Sequence, residues 1–129
     1  MIVIDSSVAL GLLHREPVTV AAVADRRLAA PHLIDAEVAH ALRGLVLGRK
    51  LAVATAEEML RVWAVLAVRR LPMAGLMERA WELRENVTCS DALFVATAEV
   101  LQVPLVTADR RLTTAPDVRC RIELLPAAG

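Results

Sequence analysis

Met1-Ile2-Val3-Ile4-Asp5-Ser6-Ser7 reads as a short strand buried on both faces, closed by a carboxylate and followed by hydroxyls able to cap a helix. Near the other end, Pro104-Leu105-Val106-Thr107-Ala108-Asp109 has the same design: a continuous apolar strand ending in an acid. Between the two, short apolar runs alternate with longer segments of helical period. That alternation predicts an α/β fold with a mostly parallel sheet. In such sheets a site forms outside the carboxyl ends of the strands, where the strand order reverses.

The spacing predicts a helix from Ser6 or Ser7 to about Leu13, and another from Pro17 to about Leu28. A second strand is expected over Ala30 to Leu33. Ile34, Val38, Ala41, Leu42 and Leu45 share one face of a helix that Gly48 ends. Thr55-Ala56-Glu57-Glu58 has the form of a capping box and predicts a helix to about Val68. Leu71 to Met73 suits a third strand, and Leu76 to Leu83 a further helix. Thr88-Cys89-Ser90-Asp91 resembles a second capping box, opening a helix to about Leu101. A last strand is expected near Arg121 to Leu124, and Pro126-Ala127-Ala128-Gly129 reads as a tail behind one domain over residues 1–125.

Composition narrows the function classes. The chain has 129 residues, 57% of them apolar, enough for one well-filled core. No apolar run approaches the roughly 18 residues of a membrane span. Asp5 and Ser6 interrupt the N-terminal run too early for a signal peptide, so a cytoplasmic protein is expected. Cys89 and Cys120 lack the histidine partners of a zinc site and are expected to be buried or half-buried thiols. Net charge is zero, but Lys50 is the sole lysine among 15 basic residues. The arginine forks, several in pairs, match phosphate geometry or serve as ordinary solvated surface. Trp63, Trp81 and Phe94 all fall in apolar helical patterns, so base stacking on aromatic side chains is not expected.

Four acids occupy element edges. Asp5 directly follows a strand and is the clearest site residue. Glu37 lies one turn into its helix, either as a dipole-favoured surface residue or as part of a site. Asp91 reads by itself as the N3 residue of a capping box. Asp109 suits a turn cap or a site. Together they would set hard oxygen ligands of the kind Mg²⁺ or Mn²⁺ prefers on one rim of the sheet.

Read together, these segments resemble PIN-domain ribonucleases, specifically VapC-like toxins of type II toxin–antitoxin pairs. The opening Ile2 to Leu10 is similar to the family's first motif. Ala36-Glu37-Val38-Ala39-His40-Ala41-Leu42, Ser90 to Glu99, and Pro104 to Leu112 are similar to its second, third and fourth. The resemblance implies a single PIN-like domain with strand order 3-2-1-4-5. It implies a Mg²⁺- or Mn²⁺-dependent endoribonuclease with Asp5, Glu37, Asp91 and Asp109 as catalytic acids and Asp5, Asp91 and Asp109 as metal ligands. Ser7 and Thr107 match the supporting hydroxyls. Water attack would leave 5′-phosphate and 3′-hydroxyl ends. An RNA substrate, a VapB-like antitoxin and a homodimer follow from the same resemblance, and no membrane. Arg110 or Arg111 is placed to grip a flanking phosphate. The sequence departs from the family at His40, commonly Asn, and at Ser90, often aromatic. His40 is either an exposed helix residue or a local contact in the site.

Other readings differ in what they need. A response-regulator receiver wants adjacent acids after its first strand and a lysine after its last, and neither is present. A non-catalytic α/β binding module would need neither metal nor cleavage. A housekeeping RNA-processing nuclease of the same family would share every motif.

Overall fold

A computed structural model describes residues 1–126. Five strands are present among them: β1 (Ile2–Ile4), β2 (Leu28–Pro31), β3 (Val68–Leu71), β4 (Leu105–Thr107) and β5 (Ile122–Leu124). They form one parallel sheet in the order β3-β2-β1-β4-β5. The helices are α1 (Ser6–Leu13), α2 (Pro17–Val23), α3 (Leu33–Leu47), α4 (Val53–Val65), α5 (Met77–Glu82) and α6 (Cys89–Leu101). No helix among the described residues is long and apolar enough to cross a membrane.

The order dictates the layering. Strands β1 to β3 step in one direction, then the chain returns to the far side of β1 for β4 and β5. Right-handed crossovers in opposite directions place their helices on opposite faces. Accordingly α1, α2, α3 and α4 pack among themselves, whereas α5 packs on α6, which lies against β1, β2 and β4. The direction reverses between β1 and β4, so their carboxyl ends flank the switch point.

Residues 2–4 and 105–107 are fully buried, as a central parallel strand requires. Every residue of α6 from Ala92 to Ala98 is buried as well. Its alanines let the helix approach the sheet, and the hydroxyl of buried Thr97 donates to Leu93 O at 2.7 Å. Burying one of the larger aliphatic or aromatic side chains in this core contributes about 1.5–3 kcal/mol.

The element boundaries correct the sequence reading in several places. Helix α2 ends at Val23 because Asp25 turns the backbone to a positive φ of 61°. Strand β2 therefore starts at Leu28, which pairs with both Ile2 and Val68. Strand β3 lies at 68–71 rather than 71–73, because four consecutive residues find partners on β2 there. Helix α4 begins at Val53, with Ala52 rather than Thr55 at its N-cap and no side-chain cap. Cys89, in the first turn of α6, is exposed rather than buried, while Cys120 is half-buried, its thiol pushed up to about 11 by burial. The expected tail, beyond Pro126, lies outside the described residues.

Two further helix acids, Asp35 and Glu99, are tied by arginines. Asp35 accepts from Trp63 Nε1 at 2.8 Å and from Arg70 Nε at 2.8 Å, and Arg70 lies over the Trp63 ring at 5.4 Å. Glu99 accepts from Arg79 Nε at 2.7 Å and from the Arg119 amide at 2.9 Å.

Candidate active site

Asp5 follows β1 directly and is only 8% exposed. A carboxylate so buried must be partnered. The Ser7 hydroxyl donates to its Oδ1 at 2.5 Å, and the Val8 amide donates to the same oxygen at 3.2 Å. The Thr107 hydroxyl, from the end of β4, donates to Oδ2 at 2.5 Å. These O–H bonds fall in the charge-assisted range. Asp5 is thus itself the N-cap of α1, a role the sequence suggested for Ser6 or Ser7. The same hydroxyls also accept: Ser7 Oγ from the Ala108 amide and Thr107 Oγ1 from the Asp109 amide, each at 3.0 Å. The backbone after β4 is therefore fastened to the carboxylate after β1.

Asp109 caps the 3₁₀ turn Arg110–Thr113, accepting from the Arg111 amide at 2.9 Å. The Arg111 guanidinium reaches back with Nε at 3.1 Å from Oδ1 and Nη2 at 2.9 Å from Oδ2, which holds the Asp109 carboxyl below the usual range. The Arg111 side chain is 87% exposed, so solvent screens this pair and leaves it easily exchanged.

Asp91 lies in the first turn of α6. Thr88 Oγ1 accepts from the Asp91 amide at 3.2 Å, so the capping role read from the sequence is real. The side chain has a second situation. Burial pushes the Asp91 carboxyl up, and the charges of Asp109 and Asp5 add to the push, against opposing pulls from the Thr88 hydroxyl and Arg111. Glu37, from the second turn of α3, behaves alike: burial raises its carboxyl, reinforced by Asp91 and Asp5. Like charges held near one another in a partly dry rim favour uptake of a proton or a cation.

Asp91 and Asp109, with Thr88, Arg84 and Arg111, border a cavity of about 380 Å³. Glu37 and exposed His40, with Ser6, border a second, open one of about 550 Å³. The charge of Asp5 acts on Asp91 in the first and on Glu37 in the second. The structure therefore brings all four acids to one rim, with Asp5 locked and the others divided between two openings. Arg110 is exposed on the turn beside them. Sequence periodicity gave no sign of Arg84, which lies outside every motif.

A hard divalent cation fits this donor set in its chemistry. The available atoms are carboxylate oxygens, and two of those carboxylates already resist ionisation. They do not form a closed cage: among the described residues, no three His, Cys, Asp or Glu side chains converge into a ready ligand set.

A family model for the PIN domain matches residues 2–118. Ribonuclease VapC9 of Mycobacterium tuberculosis is 43% identical over 126 residues, covering 98% of this chain and 99% of that protein. Ribonuclease VapC1 of the same organism is 47% identical over 97 residues, covering 74% of this chain and 73% of that protein. In three dimensions, the crystal structure of VapBC2 from Rickettsia felis bound to a DNA fragment from its promoter contains a chain that superposes with a TM-score of 0.71 at 14% identity. That match covers 98% of this chain and 100% of that one, and it bears on the fold.

Proposed function

This chain belongs to the PIN-domain family, and from that premise we propose that it is an endoribonuclease, the toxin of a VapBC-type pair. The observation that carries the reading is the Asp5 carboxylate, fixed by Ser7, Val8 and Thr107 at the switch point between β1 and β4. The carboxyls of Glu37 and Asp91 feel its charge. The two curated relatives described above are ribonucleases by name.

In this reading Asp5, Asp91 and Asp109 would be the residues that hold Mg²⁺ or Mn²⁺. When bound, the ion supplies Lewis-acid polarisation of the phosphodiester and stabilises charge developing on it. Glu37 orients the attacking water and accepts its proton, a task suited to a carboxyl raised above its ordinary range. The water attacks phosphorus in line, the 3′-oxygen leaves and takes a proton from solvent, and the products carry 5′-phosphate and 3′-hydroxyl ends. Ser7 and Thr107 keep Asp5 in one orientation by donating to opposite oxygens. Arg111 exchanges Asp109 for an RNA phosphate, with Arg110 beside it. His40 contacts substrate at the Glu37 opening.

The functional unit is one domain over residues 1–125, acting in the cytoplasm as a homodimer restrained by a VapB-like antitoxin. Structural relatives include toxin–antitoxin complexes. The direct test is incubation of the purified protein with RNA and Mg²⁺ or Mn²⁺. Cleavage that stops with EDTA and with added antitoxin supports the reading. Intact RNA under all metal conditions overturns it.

A further inference from the structure

Trp81, read from the sequence with Trp63 and Phe94 as part of an apolar helical pattern and so not expected to stack on bases, differs from both in exposure. Trp63 is 4% exposed and Phe94 1%, but Trp81 is 62% exposed. The reason is the brevity of α5. Its Ala80, with Leu83 just beyond the helix, turns to the core, which leaves Trp81 on the outer side. A single exposed apolar side chain is ordinary on a protein surface, so the neighbours of the indole decide its meaning.

The indole is not isolated. The Arg84 guanidinium lies 4.9 Å from the ring centroid, and Arg84 Nη1 donates to the Trp81 carbonyl at 3.1 Å. That bond anchors the cation against the ring. The segment that follows is fastened too: Asn86 Nδ2 donates to Pro116 O at 3.1 Å and to Asp117 Oδ2 at 3.2 Å. Arg84 is also a wall of the cavity of about 380 Å³ that contains Asp91 and Asp109. An exposed planar pair thus adjoins the acidic rim.

Acids alone repel RNA, whose backbone is itself negative. A rim that must admit a phosphodiester needs cations and a sequence-tolerant hold on the strand. An aromatic face beside an arginine supplies both, because every base presents a π-face. We propose that Trp81 and Arg84 form a stacking platform for an unpaired RNA base close to the phosphate being cut. This rests on the endoribonuclease reading. It adds a substrate-positioning element outside the four acidic motifs.

The test compares the wild type with Trp81→Ala and Trp81→Phe on a single-stranded RNA that the wild type cuts. Truncation raises KM about tenfold, the scale of one lost base stack, while kcat changes less than about twofold. Phenylalanine restores most of the loss. In the Asp5→Asn background, an oligoribonucleotide of about 12 nucleotides quenches the emission of exposed Trp81, and an abasic oligomer of equal length does not. Buried Trp63 contributes a constant signal. Should Trp81→Ala fold poorly, the phenylalanine variant and the quenching still decide. Equal KM for wild type and Trp81→Ala, or equal quenching by the abasic oligomer, overturns the platform and leaves the nuclease reading standing. Dissociation of a wild-type dimer on Trp81→Ala, with KM unchanged, assigns the face to a second copy of the chain instead. If the wild type cuts no RNA, the nuclease reading fails and takes the platform with it.

Discussion

Thr107 donates to the Oδ2 of Asp5 from a position 102 residues away in the chain, joining the ends of two adjacent parallel strands. The same hydroxyl accepts from the Asp109 amide, so one side chain sets the positions of two acids. Thr107→Val keeps the shape and removes both bonds inside a fully buried site. The expected cost is about 1–3 kcal/mol of stability. Cleavage should fall by roughly 10–100-fold through weaker divalent-ion binding. Thermal melts and Mg²⁺ titrations read the two effects, and Thr107→Ser, which retains the hydroxyl, should recover most of the activity.

Glu37 and Asp91 make stability depend on pH in a defined direction. Both carboxyls are raised in the folded protein, first by burial and then by neighbouring acids. A raised carboxyl favours folding most below its unfolded pKa, and that advantage is lost as pH rises through the folded value. In EDTA, stability should therefore decline as pH climbs from the ordinary carboxylate range through the raised one. Glu37→Gln should flatten that decline. Mg²⁺ should raise the melting temperature at neutral pH, and by less as the pH falls and protons compete for the same oxygens. A Mg²⁺ effect independent of pH would argue against these acids as ligands.

Asp35 provides the contrast of an acid that stabilises without catalysing. Its carboxylate joins Trp63 and Arg70, and the partner at Arg70 is 35 residues distant. Asp35→Ala leaves the indole N–H and the guanidinium without their acceptor. We expect a loss of about 1 kcal/mol, moderated by partial exposure of the pair. The cleavage rate at a temperature where the variant is folded should be unchanged. A large loss of activity would extend the site to the α3–α4 side of the fold.

The central strands and the acids at their ends were legible in the sequence because fully buried parallel strands are continuous apolar runs, and a carboxylate at such an edge is conspicuous. Asp91 was readable only in part: its cap to Thr88 is a local pattern, whereas the effect of the Asp5 charge on it arises from the fold. The outer strand β3 starts three residues and ends two residues earlier than expected because its place is set by pairing with β2, which local propensity does not encode. The capping box at Thr55 lost to an earlier start at Val53 for the same kind of reason, the helix being fixed by its packing on α3. Trp81 was misplaced because a helix of six residues has too few turns to define its apolar face. Arg84 gave no signal at all, since its significance comes from a cavity formed with residues of α6 and the turn after β4.

The most direct measurement is metal-dependent RNA cleavage by Asp5→Asn beside the wild type, with a thermal melt of each. Asparagine keeps the size of the side chain and can still accept from Ser7, Val8 or Thr107 through its carbonyl oxygen. It removes the charge on which ion binding depends. The expected result is a folded variant, melting at or above the wild-type temperature in EDTA because carboxylate repulsion is relieved, with no cleavage in Mg²⁺ or Mn²⁺. Cleavage by folded Asp5→Asn at the wild-type rate would contradict the assignment of this rim as the active site.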